Sequence, residues 1–350
     1  MLFQLYGSTA MTQLLGWVLV FAGLVILNEI GRRTKMGGIV IFVIIPAILT
    51  IYFIGIQAGL FGGHSNQTYE YMNGWFHYAK LYAADIGVVG FLMIKYKWGL
   101  GKKEWFKPWP FIIVAINILI AVASDFESAI RAYQITGDFS GAWWASNEGV
   151  FLYGGWWNIV NGIAGLINIF CMTGWWGIYS SKKKDDMLWP DMTIWFIVAY
   201  DIWNFEYTYC NLPTHTWYCG VALLLAPTFA NALWNKGGWI QNRAMTLATW
   251  CMFAQVFPLF QVDGIFATLP VLYKYTGAST GMELSKLTLE QMNAAGAYPV
   301  AQGVMSILAV VANVICISVI IKRAVEQKKN PYKNEIFAGT RDYDQAMDRA

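Results

Sequence analysis

The feature that most restricts this chain is a recurrence of apolar runs about twenty residues long. A window of that length picks out nine, at roughly 9–30, 37–60, 74–95, 109–131, 154–179, 187–210, 214–235, 242–266 and 296–321. Glycine, proline and charge mark most of the joints. Twenty residues of helix rise about 30 Å, the thickness of a bilayer's hydrocarbon core. Lipid offers backbone N–H and C=O groups no partner, so each run must satisfy its own as a helix. Only 13% of the residues are charged and 57% are hydrophobic, against roughly 25% charged in a soluble domain. The expectation is an all-α, polytopic transmembrane helix bundle over residues 1–321, followed by a cytoplasmic C-terminal tail, 322–350. The first run lacks the basic flank and small-residue cleavage site of a signal peptide and reads as a retained span. Between the runs, 137–153, with Trp143 and Trp144, reads as an interfacial stretch. The polar stretch 276–296 reads as an external loop with one short helix.

Basic residues give the orientation. Alternate joints and the C-terminal tail hold 20 of the 24 Lys and Arg residues. The positive-inside rule then puts the C-terminus in the cytoplasm and, with nine spans, the N-terminus outside. The net charge of +3 follows from that topology and does not point to nucleic acid. Trp156-Trp157 and Trp175-Trp176 bracket the fifth run. Nineteen residues separate the pairs, about 28 Å of helix, which suggests two aromatic belts.

The polar residues inside the runs carry the functional information. On this topology the third run carries His77, Lys80 and Asp85, and the fourth carries Asp125, Glu127 and Arg131. The fifth carries Asn158 and Asn161, the sixth Asp201, Asn204 and Glu206, the eighth Gln255, Gln261 and Asp263, and the ninth Gln302. Nearly all fall in the outer half of the membrane. An ionised residue at a helix centre costs about 2.5–3.5 kcal/mol on insertion scales, so these groups are expected to gather around one hydrated pocket open to the outside. Glu127 and Arg131, spaced i, i+4, are expected to pair. The remaining balance is acidic, which suits a cation or a proton. In the sixth run Asp201, Asn204 and Thr208 share one face, and Trp203, Glu206, Tyr207 and Cys210 a neighbouring one. Carboxylates beside aromatic rings suit an ammonium group or a proton relay. A purely structural reading stands beside this one: Asp201, Asn204, Asp125 and Asn158 could hydrogen-bond one another and hold helices together.

Other features are weaker. Pro46, Pro227 and Pro258 fall inside runs and should kink them. His64, His77 and His215 are too dispersed for a haem or zinc site, with His64 and His215 in outer loops. Asn28 and Glu29 sit beside Arg32 and Arg33 as an interfacial ion pair. Cys210 and Cys219 flank a short turn and could be a disulfide or two free thiols. There is no P-loop, GxSxG or HExxH, no lysine in the last run for a retinal Schiff base, and no inverted repeat. No catalytic residue, cofactor or particular metal is assigned.

The stretches LNEIGRRTKMGGIV (Leu27 to Val40) and YDIWNFEYTYCNLPTHTWYC (Tyr200 to Cys219) resemble those of a family of bacterial polytopic membrane proteins that forms a domain of unknown function. The resemblance covers essentially the whole chain. It implies a bacterial inner membrane and carries over no functional residue. The leading functional expectation is a secondary transporter for a small cationic solute, or for a solute coupled to protons or sodium. Asp201 would be the central carboxylate, supported by Asn204, Glu206, Asp125, Asp85 and Asn158, with Trp203 and Tyr207 as aromatic walls. A cation channel using the same carboxylates and a membrane-embedded enzyme or ligand sensor are the alternatives. The oligomeric state is left open.

Overall fold

Among the described residues, nine long helices occupy the nine apolar runs. The structure, a computed structural model, describes residues 2–5, 9–72, 74–147, 149–257, 266, 268–274 and 287–350. The helices are α1 (Ala10–Arg33), α2 (Lys35–Gln57), α3 (Trp75–Tyr96), α4 (Trp109–Thr136), α5 (Trp156–Phe170), α6 (Ile194–Asn211), α7 (Trp217–Leu233), α8 (Trp239–Trp250, continued by a wide turn over Cys251–Gln255) and α9 (Val300–Gln327). Four of them, α1, α2, α4 with the residues just before it, and α9, are long and apolar enough to cross a membrane. Their outer faces are apolar, as in Ile48, Ile51 and Ile54 on α2 and Ile307, Leu308 and Val311 on α9, all exposed.

Local chemistry sets the joints. Thr34 separates α1 from α2 by adopting an extended backbone and accepting the Gly37 N–H at 3.1 Å, an N-cap. Proline stands at the start of α4, and Gly137, at φ 78°, ends it in the left-handed conformation that glycine adopts freely. After α4 the chain forms an antiparallel hairpin, Ala142–Ala145 against Phe151–Gly154, rather than helix. A Cβ on Gly154 would lie 2.0 Å from the Ser128 carbonyl oxygen, so only glycine lets the hairpin press this close to α4. The hairpin, the paired strands Phe3–Gln4 and Leu269–Pro270, and the short helix Leu289–Ala295 cover one end of the bundle, around Trp143, Leu152, Leu272, Tyr273 and Met292. This is the hairpin end. The basic joints and the C-terminal segment lie at the other, basic end.

Two cores divide the bundle. One unites α4, α5, α6 and α9 with the C-terminal segment and draws in Phe91 and Ile94 of α3, Leu224 of α7, and Trp239 and Ile240 of α8; the other unites α1, α2, α3, α7 and α8. The seam between them runs where α4 and α6 face α3, α7 and α8.

Several expectations are corrected. α5 stops at Phe170, not near 179, and α6 starts at Ile194, not 187. The backbone donors of Gly174 and Trp175 turn instead to the carbonyls of Pro331 and Tyr332, at 2.8 and 3.1 Å. The C-terminal segment thereby holds residues 171–193 in irregular structure, with a strand pair at Tyr179–Ser180 and Met187–Leu188. Trp175 and Trp176 are therefore outside the helix, and the two tryptophan pairs do not measure a 28 Å span. Asp201 is the eighth residue of its helix. The segment 322–350 packs against the bundle: α9 continues to Gln327, and Asp191 accepts the N–H groups of Ile336 and Phe337 at 3.3 and 2.9 Å. Pro227 lies inside α7, whereas Pro46 stands at the start of a helical segment that follows a wide turn over Val40–Ile44. Pro258 lies outside the described residues.

Candidate functional site

The buried carboxylates do not share one cavity. Asp125 on α4, fully buried, is caged by three amides: Asn158 and Asn211 donate to its Oδ1 at 3.1 and 2.7 Å, and Asn161 to its Oδ2 at 2.8 Å. Asn158 Oδ1 in turn accepts the Gly155 N–H at 3.1 Å, so the cage also fixes the start of α5. Asp201 accepts a hydrogen bond from Thr228 on α7 at 2.8 Å, and the same hydroxyl accepts from Trp239 Nε1 at 2.8 Å. Glu206 accepts from the thiol of Cys210 at 3.0 Å. Asp85 is buried on α3 with its Oδ1 unpartnered. Trp203 is fully buried, edge-on to Tyr200 and packed toward Gly165 of α5. The expected convergence of Asp85, Asp125 and Asp201 is thus replaced by separate contacts. The physical reason is that Asp125 and Asp201 meet different donors on neighbouring helices and Asp85 lies apart on α3, which face and depth alone do not specify.

What the seam does gather is positive charge. Three cavities follow one another from the hairpin end inward. The first, a vestibule of about 400 Å³, is lined by Trp75, Phe76 and His77 of α3, by Glu127 and Arg131 of α4, by the hairpin and by the end of α6. Glu127 and Arg131 form an ion pair at 3.7 Å on its wall. His215, expected in an outer loop, is buried at its edge. The second cavity, about 40 Å³, shares Phe76 and Leu212 with the vestibule. It lies in the seam, lined by Lys80, Asn117, Tyr200, Asn204, Tyr207 and Arg243 among others. The third, about 30 Å³ and mostly apolar, shares Asn117, Tyr200, Arg243 and Leu247 with the second and runs on to Phe91 and Trp239.

Of the residues expected to bind solute, only Asn204 and Tyr207 line the seam cavity. Its two charges are Lys80 and Arg243. Lys80 Nζ donates to the Asn117 carbonyl at 2.8 Å and lies over the rings of Tyr207 (5.4 Å) and Phe76 (5.8 Å). Arg243 donates from Nη2 to Asn204 Oδ1 at 3.1 Å and lies over Tyr200 at 5.6 Å. Its Nε and Nη1 are buried without a partner. Among the described residues neither cation has a carboxylate within ion-pair distance; Asp125 acts on Lys80, and Asp201 on Arg243, only through space. All three polar contacts cross the seam: Lys80 to α4, Arg243 to α6, and Asp201 to α7.

The sequence reading missed this cluster. Lys80 belongs to the expected pocket, but as a minor positive charge in an acidic balance and not as a binding group. Arg243 was counted as a basic loop residue, because the eighth helix was started at 242 rather than at Trp239. The signal was present as a stripe: Arg243, Leu247 and Cys251 recur at i, i+4, i+8 and all line the cavity, as do Tyr200, Asn204 and Tyr207 on α6. All five cysteines are free, with Cys210 turned toward Glu206 and Gln302. The side chain of Gln255 and residues Gln261 and Asp263 lie outside the described residues.

Comparison with known proteins matches residues 7–349 to a family of unknown function. The chain belongs to DUF5692. Membership of DUF5692 spans nearly the whole length, as the resemblance of its two quoted stretches implied, and brings no residue role with it. No curated protein and no solved structure matches the chain.

Proposed function

We propose that the chain is a nine-span protein of the bacterial inner membrane, with its N-terminus outside and its C-terminus in the cytoplasm. On this reading it is a secondary transporter that takes a small solute from an outer vestibule into an occluded site, coupled to protons or sodium. One observation carries this reading. A small cavity lined by buried cations lies beneath a larger vestibule, at the seam where α4 and α6 meet α3, α7 and α8. Transporters place their solute site at such an interface near mid-membrane and work by rocking one half against the other. Three polar contacts cross this seam, Lys80 to Asn117, Arg243 to Asn204 and Asp201 to Thr228, beside aromatic packing of Trp239 against Phe196 and Tyr200. A solute that competes for these donors would release the halves.

The coupled form of the reading fits better than a cationic solute, because the side chains at the cavity are themselves cationic. The cation belongs instead to the buried carboxylates. Asp201 bridges the seam, and a proton or sodium ion there would change its bond to Thr228. The apolar cavity beyond Arg243, ending against Phe91 and Trp239, favours a transporter over a cation channel, which needs a continuous polar path.

The test uses Cys251, which lines the seam cavity. A variant keeping only that cysteine is placed in right-side-out and inside-out vesicles and treated with a membrane-impermeant maleimide. The expected result is slow labelling from each side without ion conductance. Labelling from one side only would remove alternating access. Labelling from both sides with steady conductance would make the protein a channel.

A further inference from the structure

We propose that the seam cavity is a binding site for a small monovalent anion, a carboxylate group or a halide, held between Lys80 and Arg243. The inference takes its route of entry from the transport reading, but the site stands on its own geometry. Arg243 is 6% exposed and Lys80 7%. A guanidinium carries five N–H donors and an ammonium three. Arg243 has one hydrogen bond here, to a neutral amide, with Nε and Nη1 unpartnered, and Lys80 has one, to a carbonyl. A buried charge without an opposite partner is strongly destabilising, so two side by side call for an anion between them. The carboxylates around the seam do not pair with them directly: the Asp125 oxygens are taken up by three amides, and Asp201, with Oδ2 on Thr228 and Oδ1 unpartnered, acts on Arg243 only through space.

Size narrows the class. On the measure in which one water needs at least ~10–15 Å³, a cavity of about 40 Å³ holds a few waters, a halide or a carboxylate head. A sugar acid or a nucleotide does not fit. Tyr200 and Tyr207 already lie against the cations, so they position the charges and leave the donors to the anion. Asn204, which accepts from Arg243, is the group the anion would displace.

The experiment is thermal unfolding of the full chain in detergent at fixed ionic strength, in sodium gluconate with chloride or formate replacing it stepwise. Gluconate is too large for the cavity. The expected result is a saturable rise in Tm with chloride, with formate or with both. Formate alone would mark a carboxylate site, chloride alone a halide site, and both a site for either. In Arg243→Gln and in Lys80→Gln the concentration giving half the rise should increase at least ~tenfold, the scale of a lost charge-assisted hydrogen bond, whereas Lys80→Arg should keep it. No difference from gluconate in the wild type would overturn the proposal, as would an unchanged half-point in both Gln variants. Should a variant not fold, the wild type still decides. Chloride or formate should slow maleimide labelling of Cys251, and labelling at the gluconate rate would count against the site. An anion-dependent Tm with Cys251 reached from one side only would keep the site and remove transport. Two-sided labelling with no anion effect would do the reverse.

Discussion

Two buried arginines, Arg32 at the basic end and Arg243 in the seam, are exposed to 2% and 6%, and their surroundings are opposite. Arg32 grips Glu29 with Nε and Nη2 at 2.6 and 2.8 Å and gives Nη1 to Asp186 at 2.9 Å. Asp186 also accepts from Asn235 at 3.2 Å, from Gln241 at 2.7 Å and from Arg349 of the C-terminal segment. Arg243 has one neutral acceptor. A folded chain pairs its buried charges because leaving one unpaired is costly. The saturated arginine therefore reads as a lock, tying α1, the 171–193 segment, α8 and the C-terminus together. The unsaturated one reads as a site kept open for something that arrives later.

Variants that break the comparison should differ in size. The largest loss is expected for Asp186→Ala, which removes the buried carboxylate shared by Arg32 and Arg349. Removing one partner of a buried pair costs about 3–5 kcal/mol, and denaturant unfolding should register it together with faster proteolysis of the C-terminal segment. A loss under about 1 kcal/mol would mean the network is not the lock. Next comes Asp125→Ala, which leaves the amides of Asn158, Asn161 and Asn211 without their acceptor. We expect about 2 kcal/mol, the scale of buried donors left unmade, while chloride and formate binding should persist, because Asp125 holds helices and does not touch the seam cavity.

The smallest effect is a pH dependence at the basic end. Burial pushes the Asp191 carboxyl up to about 6, against the opposing hydrogen bonds from Thr173, Phe337 and Ile336. With the segment docked the carboxyl holds its proton more tightly than when exposed, so docking is strongest below about pH 4. It weakens as pH rises from about 4 to about 6, and is level above that. Hydrogen exchange at Ile336 and Phe337 should quicken over that window, and Asp191→Asn should flatten it. Faster exchange on acidification would reverse the sign and refute the assignment.

Much of this architecture was legible in the sequence. The period of apolar runs placed nine helices, because helix formation in an apolar stretch is a local property. The ends of α5 and α6 were not legible, since they depend on backbone acceptors at Pro331 and Tyr332, far along the chain. The candidate site was half legible. Asn204 and Tyr207 were legible on two neighbouring faces of α6, but the carboxylates beside them drew attention that belonged to Lys80 and Arg243. Buried acids declare themselves in a sequence; whether a neighbour already neutralises or caps them does not. Asp125 shows this most clearly, because its three amides come from two other helices.

The central claim is that the seam cations await a ligand while those at the basic end already have their partners. The most direct measurement is the unfolding free energy of Arg32→Gln and Arg243→Gln, side by side in the same detergent with gluconate as the only anion. The account predicts that Arg32→Gln loses about 3–5 kcal/mol, as for any broken buried pair, and that Arg243→Gln stays within about 1 kcal/mol of the wild type or rises above it, because it removes an uncompensated charge. Equal losses, or a larger loss at Arg243, would contradict it.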